Sequence, residues 1–164
     1  MSRLNDILKG IEILEQTGNT DREISAVHFD SRKVQEGSLF VAIPGLRVDG
    51  HQYIRKAEEL GAHAIVCEKM PEIKDNGTCY LVVPDTSKAL GQLASNFYGN
   101  PSRKLKLIGI TGTNGKTTTA TLLYHLFLQR GISTGLISTI ANYINQERLD
   151  TRFTTPDAVQ INEL

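Results

Sequence analysis

Apolar residues in this chain fall into two kinds of segment that take turns along its length. Short continuous runs of strand size alternate with stretches whose apolar positions recur every three or four residues. That alternation predicts an α/β architecture rather than an all-α or all-β one. A short amphipathic helix over residues 3–8 precedes a strand over 24–29. After a turn at Glu36-Gly37 comes a strand over 39–43, ended by Pro44-Gly45. Over 52–60, Tyr53, Ile54, Ala57 and Leu60 share one helical face, and Gly61 stands where a left-handed C-terminal residue is favoured. The run 64–67 reads as a buried strand. A polar loop containing Asn76-Gly77 leads to a strand over 79–83, and Pro84 then opens into a helix that Asp85 or Thr86 caps. Leu90, Leu93, Ala94 and Phe97 form the buried stripe of that helix.

The helix stops at Gly99-Asn100-Pro101, and the polar Ser102-Arg103-Lys104 that follows is the best linker in the chain. It divides the sequence into an N-terminal domain, residues 1–102, and the start of a second domain, residues 103–164. In the second domain the pattern predicts a buried strand over 105–110, a glycine-rich turn, a helix over 117–130 closed by Gly131, and a strand over 134–138 that completes a βαβ unit. Ala120, Leu123 and Phe127 lie on one face of that helix with Leu122 and Leu126 beside them, so it should be well buried. Near the end, Thr155 suits an N-cap and Pro156 a first helical position, opening a helix that runs to Leu164.

Composition narrows the functional classes. Lys plus Arg and Asp plus Glu are both 18, which removes the strongly basic balance expected of a protein whose main partner is nucleic acid. With 164 residues, 40% of them hydrophobic, the chain has enough apolar material for a packed core. Its longest apolar runs are far too short to cross a bilayer, so no membrane association is expected. The first fourteen residues carry Asp6 and Glu12 and lack a small-residue cleavage site, which predicts a cytoplasmic protein. Cys67 and Cys79 sit in strand-like runs without CxxC spacing, as buried reduced thiols would. His28, His63 and His125 have no carboxylate or cysteine at metal-ligand spacing, and no metal is assigned to any histidine.

The chemistry concentrates in one stretch. Gly112, Thr113, Asn114, Gly115, Lys116, Thr117 and Thr118 lie between a predicted strand and a predicted helix. Glycines there let successive backbone N–H groups turn toward phosphate oxygens, and the helix start adds partial positive charge. Lys116 is placed to reach the β- and γ-phosphates, and the Thr117 hydroxyl to ligate Mg²⁺. The usual phosphate-loop signature has a further glycine where this chain has Ile110, with Gly109 one place early. The alternative is a tight turn before a helix. A GTPase or kinase of another kind would ordinarily need an aspartate on a nearby strand for the metal, and residues 132–139 offer none.

The segment from Gly109 to Thr118 resembles the ATP loop of the Mur ligases and folylpolyglutamate synthetases. Asp30-Ser31-Arg32, residues 37–42, Pro44-Gly45 and Asp49-Gly50-His51 further resemble the UDP-binding domain of the Mur ligases, which the folate enzymes lack. Thr154-Thr155-Pro156-Asp157 is similar to the branch of the family that forms the tripeptide. The resemblance implies an ATP- and Mg²⁺-dependent amide ligase of peptidoglycan precursor synthesis, in which the D-Glu carboxylate of UDP-MurNAc-L-Ala-D-Glu is phosphorylated and then attacked by the amine of a diamino acid. It implies ATP contacts along Gly112–Thr118, with Lys116 catalytic and Thr117 on the metal. Uridine-side contacts fall on Phe29, Ser31, Leu46, Arg47 and Val48, and contacts to the muramoyl-peptide on Thr154 and Thr155. Many members have Asn just before that pair, whereas this chain has Phe153.

Each of these positions has a plainer structural reading. Asp30 and Ser31 also suit a turn after a strand, Arg32 a solvated charge, His51 a helix start, and Thr154-Thr155 a helix cap. Two other functions stay open: the sister ligase that adds D-Ala-D-Ala, and a non-catalytic nucleotide-sugar-binding module. In the family, the modified lysine, the acidic metal ligands and the amino-acid-reading segment all lie beyond residue 164. One βαβ unit is too little to cover both faces of a doubly wound sheet. These two points predict a fragment without ligase turnover whose second domain is marginal and exposes apolar surface from the helix over 117–130; a monomer is expected at full length.

Overall fold

A computed structural model describes residues 1–45, 48–149 and 156–164. The described chain forms two compact units, Met1–Lys104 with Ala158–Leu164, and Leu105–Asp157.

In the first unit, β1 (Ser2–Arg3) leads directly into α1 (Leu4–Ile7), and β2 (Glu15–Thr17), β3 (Glu23–Ile24) and β4 (Ala26–His28) follow. Then come β5 (Ser38–Val41), α2 (Ile54–Glu59), β6 (Ala64–Cys67), β7 (Cys79–Val82) and α3 (Thr86–Phe97). A five-stranded sheet has the order β2-β7-β6-β5-β4. Its β4, β5, β6 and β7 run parallel, and β2 closes one edge antiparallel to β7. A separate antiparallel pair joins β1 to β3.

Both sheet faces are covered, which is why the strands read as unbroken apolar runs. Side chains still divide by the period of two. Leu39, Val41, Ala64, Val66, Cys79 and Leu81 enter one core with Leu4 and Ile7 of α1 and Ala89, Leu90 and Leu93 of α3. Phe40, Ile65, Cys67, Tyr80 and Val82 face the other way, onto Ile54 and Ala57 of α2. Both cysteines are free and buried, and burial pushes the Cys67 thiol up to about 11. Asp85 caps α3 by accepting from the Lys88 backbone N–H at 2.8 Å.

The second unit departs from the predicted βαβ. It holds α4 (Lys116–Gln129) and the three strands β8 (Gly135–Ile137), β9 (Asn142–Ile144) and β10 (Glu147–Leu149). These strands form an antiparallel meander, β10-β9-β8. Among the described residues no strand pairs with 105–110, and Leu105, Leu107 and Ile108 are exposed. The apolar run is there, but a strand exists only by pairing; β8 pairs on one edge with its sequence neighbour β9, whose closure costs little entropy, and among the described residues 105–110 do not add to its other edge. Nor is α4 well buried. Only Tyr124 is fully covered, while Leu122 and Leu126 stand exposed. The last helix, α5 (Ala158–Glu163), begins two residues after Pro156 and belongs to the first unit, where Ala158 and Val159 pack against the core that α3 also fills.

Candidate functional site

Two places in the structure gather the residues singled out in the sequence. One is the loop before α4. Gly112 has φ 153° and Gly115, in the left-handed region at φ 76°, turns the chain into the helix. The first intrahelical bond runs from Thr119 N–H to Gly115 C=O at 2.9 Å, so the N–H groups of Lys116, Thr117 and Thr118 precede the helical ladder. The Lys116 ammonium folds back across the loop and donates to the carbonyl oxygens of Gly112, at 2.5 Å, and Thr113, at 3.3 Å. Helix-start N–H groups that precede the helical ladder, with an ammonium beside them, make a setting that favours an anion. A phosphate oxygen is a better partner for an ammonium than a neutral carbonyl. Thr117 also lines a groove of about 720 Å³ with Thr121, Tyr124, Leu136, Ser138 and Tyr143. Among the described residues no cluster of three His, Cys, Asp or Glu side chains is arranged to hold a metal.

The other place is the C-terminal edge of the parallel strands in the first unit, the edge at which open α/β sheets bind ligands. Phe29, part-exposed, follows β4, and buried Ser31 opens a single 3₁₀ turn, Ser31–Lys33. Asp30 caps that turn, accepting from the Arg32 backbone N–H at 3.0 Å and from its guanidinium at 2.7 to 3.2 Å. The guanidinium holds the Asp30 carboxyl down at about 2. The structural reading of Asp30 therefore holds alongside any functional one.

After β5 the chain leaves the sheet in a loop tied at its neck. Pro44 and Asp49 bridge, Gly45 N–H donates to Val48 C=O at 3.1 Å, and Gly50 N–H to Ile43 C=O at 2.8 Å. Val48 is half exposed on this loop. Leu46 and Arg47, within it, lie outside the described residues, as do Phe153, Thr154 and Thr155. Because β4 and β5 are parallel neighbours, Phe29, Ser31 and Val48 emerge at one sheet edge. Asp49 caps the 3₁₀ turn Gly50–Tyr53, accepting from the His51 backbone N–H at 2.9 Å and from its Nδ1 at 2.7 Å. These two bonds hold the Asp49 carboxyl below the usual range.

Glu68 escaped the sequence reading. It is the first residue past β6, and its carboxylate accepts from both the backbone N–H and the hydroxyl of Thr86, each at 2.9 Å. The available signal was its place, a charged residue immediately after a fully apolar strand run, where parallel sheets collect functional groups.

A parallel sheet with polar groups at its strand ends, followed by a glycine-rich loop at a helix start, defines an α/β protein suited to phosphate-bearing ligands. The chain belongs to the Mur ligase family. Residues 23–98 match the model described as Mur ligase family, catalytic domain, and residues 110–164 that of the Mur ligase middle domain. The UDP-N-acetylmuramoyl-L-alanyl-D-glutamate--2,6-diaminopimelate ligase of Phocaeicola vulgatus is 49% identical over 162 residues, 99% of this chain and 34% of the relative. The ligase of the same name from Bacteroides fragilis is 51% identical over 162 residues, 99% of this chain and 33% of the relative. The chain thus spans about a third of the length of these curated relatives. A solved UDP-N-acetylmuramoyl-L-alanyl-D-glutamate--2,6-diaminopimelate ligase superposes with a TM-score of 0.71 at 25% identity, covering 99% of this chain and 32% of that one. The D-alanyl-D-alanyl ligase of Acinetobacter baumannii gives a TM-score of 0.61 at 28% identity over 78% of this chain and 28% of that one. No helix among the described residues is long and apolar enough to cross a membrane.

Proposed function

We propose that this chain is the nucleotide-sugar-binding and phosphate-loop portion of an ATP-dependent amide ligase that joins diaminopimelate to UDP-N-acetylmuramoyl-L-alanyl-D-glutamate. The names of its relatives support this choice over the D-alanyl-D-alanyl-adding ligase and over a non-catalytic module. The single observation that carries the chemistry is Lys116 at the first position of α4, its ammonium folded over Gly112 and Thr113.

In the reaction, an oxygen of the D-Glu carboxylate attacks the γ-phosphorus of ATP and the bond to the bridging oxygen breaks, releasing ADP and leaving an acyl phosphate. The amine then forms the amide bond, inorganic phosphate departs and the nitrogen loses its proton. Gly112, Thr113, Asn114, Gly115 and Thr118 cradle the phosphates through their backbone, and Lys116 neutralises charge on the transferring group. The Thr117 hydroxyl, at the start of α4, is an oxygen donor of the kind magnesium takes, and it would hold the ion together with substrate phosphate oxygens and water. Bound there, the metal would supply further neutralisation of the phosphate oxygens. Phe29, Ser31, Leu46, Arg47 and Val48 hold the uridine diphosphate side, and Thr154 and Thr155 the muramoyl-peptide. The whole enzyme acts as a cytoplasmic monomer.

Calorimetric titration with ATP and magnesium tests the loop. A charge-assisted hydrogen bond to phosphate contributes about 1.5–3 kcal/mol, so Lys116→Ala should weaken ATP binding roughly 10- to 100-fold. Equal affinity in the variant and the unsubstituted chain would overturn the assignment.

A further inference from the structure

At the C-terminal edge of the sheet, one side chain joins segments that the chain keeps apart. The backbone N–H of Glu68, just past β6, donates to His51 Nε2 at 2.9 Å. An amide N–H can only donate, so Nε2 carries no proton and the imidazole holds its proton on Nδ1. That proton points to Asp49 Oδ1, 2.7 Å away. Only 18% of the His51 side chain is exposed. Glu68 in turn binds the backbone N–H and hydroxyl of Thr86, which is fully buried at the start of α3. Asp49, His51, Glu68 and Thr86 therefore form a continuous chain of hydrogen bonds linking the loop after β5, the end of β6 and the first turn of α3.

We propose that His51 is a positioning residue for nucleotide-sugar binding: as the Nδ1–H tautomer it ties Asp49 and the loop neck beside Val48 to the end of β6, so that the neck is held in place before ligand arrives. The proposal rests on the nucleotide-sugar reading of this edge. Asp49 is the pivot. It bridges to Pro44 across the neck, and its carboxylate is oriented by two bonds from His51. Without the Nε2 acceptor, the Glu68 N–H loses its partner and the neck keeps only its own short bonds to Ile43 and Val48. Fixing the neck would then cost binding free energy, which weakens affinity without removing any ligand contact.

Two substitutions separate the two nitrogens. In His51→Asn the side-chain amide can donate to Asp49 but cannot reach Glu68. In His51→Gln the carbonyl oxygen reaches the Nε2 position and accepts from Glu68 N–H. On the unsubstituted chain and both variants, amide hydrogen exchange at Glu68 reads the tie itself, and calorimetry reads affinity for UDP-MurNAc-L-Ala-D-Glu and, separately, for ATP. His51→Asn should lose Glu68 protection and bind the nucleotide-sugar about tenfold more weakly, with ATP affinity unchanged. His51→Gln should keep Glu68 protected and recover affinity to within about threefold. Nucleotide-sugar affinity equal in all three chains overturns the positioning role alone, as does equal weakening in both variants. An unsubstituted chain that binds ATP but not the nucleotide-sugar overturns the reading of this edge, and the role of His51 with it.

Discussion

Replacing Gly50 with alanine tests how tightly the loop neck is built. Its backbone is not in the left-handed region, so the requirement for glycine comes from space alone. A Cβ added there would stand 2.6 Å from the Ile43 nitrogen, 2.7 Å from the Ile43 oxygen and 3.1 Å from the Ala42 carbonyl carbon. All three are backbone atoms, and no side-chain rotation relieves them. Ordinary contact begins near 3.4 Å, so the chain must separate by about 0.7–0.8 Å. The β5 side cannot give way, because Ala42 is fully buried and its N–H donates to Val66 C=O at 2.8 Å. The neck must therefore open, stretching the 2.8 Å bond from Gly50 N–H to Ile43 C=O. Overpacking of this kind costs about 1–3 kcal/mol and a lost hydrogen bond about 1, for a total of about 2–4 kcal/mol. Urea unfolding of the two chains, followed by far-ultraviolet circular dichroism, should show the midpoint lowered by about 1–2 M for slopes of roughly 2 kcal/mol/M. A midpoint within about 0.2 M of the unsubstituted chain would refute the steric reasoning.

Gly91, in the middle of α3, makes the opposite case: a Cβ there meets nothing within 4 Å. Gly91→Ala should stabilise by about 0.5–1 kcal/mol through the lower conformational entropy of the unfolded chain, seen as a higher urea midpoint. The Asp30 carboxyl, held at about 2 chiefly by the hydrogen bond from Arg32, sets an acid limb. A depressed folded value means that the contribution is complete above the unfolded range, near pH 4, and is lost as pH falls through about 2. Asp30→Asn should therefore flatten the decline in melting temperature between roughly pH 4 and 2, and the difference should shrink in high salt because the Arg32 side chain is exposed. An unchanged pH slope in the variant would remove the Asp30–Arg32 pair from the account.

The first unit was legible where burial is symmetrical. Over residues 64–67 the apolar run and β6 coincide, and β7 differs from its predicted span by one residue, because a strand covered on both faces must be apolar throughout. The cap on α3 was legible as well, since Asp85 and Lys88 are three positions apart and the bond is local. Residues 105–110 carry the same apolar signature but form no strand, since strand formation depends on a partner elsewhere in the chain. For α5, helical pattern alone could not say which core it would join; Ala158 and Val159 found theirs beside α3.

The candidate sites divide along the same line. Sequence by itself determined the loop at Gly112–Thr118, because glycine conformations, helix-start donors and a lysine one position later are all short-range facts of the backbone. Only tertiary structure decided that His51 would meet Glu68, 17 residues away, and Glu68 meet Thr86, 18 residues further on. Parallel strands bring their ends together only after the intervening segments have crossed over, and no local pattern records which loops then become neighbours.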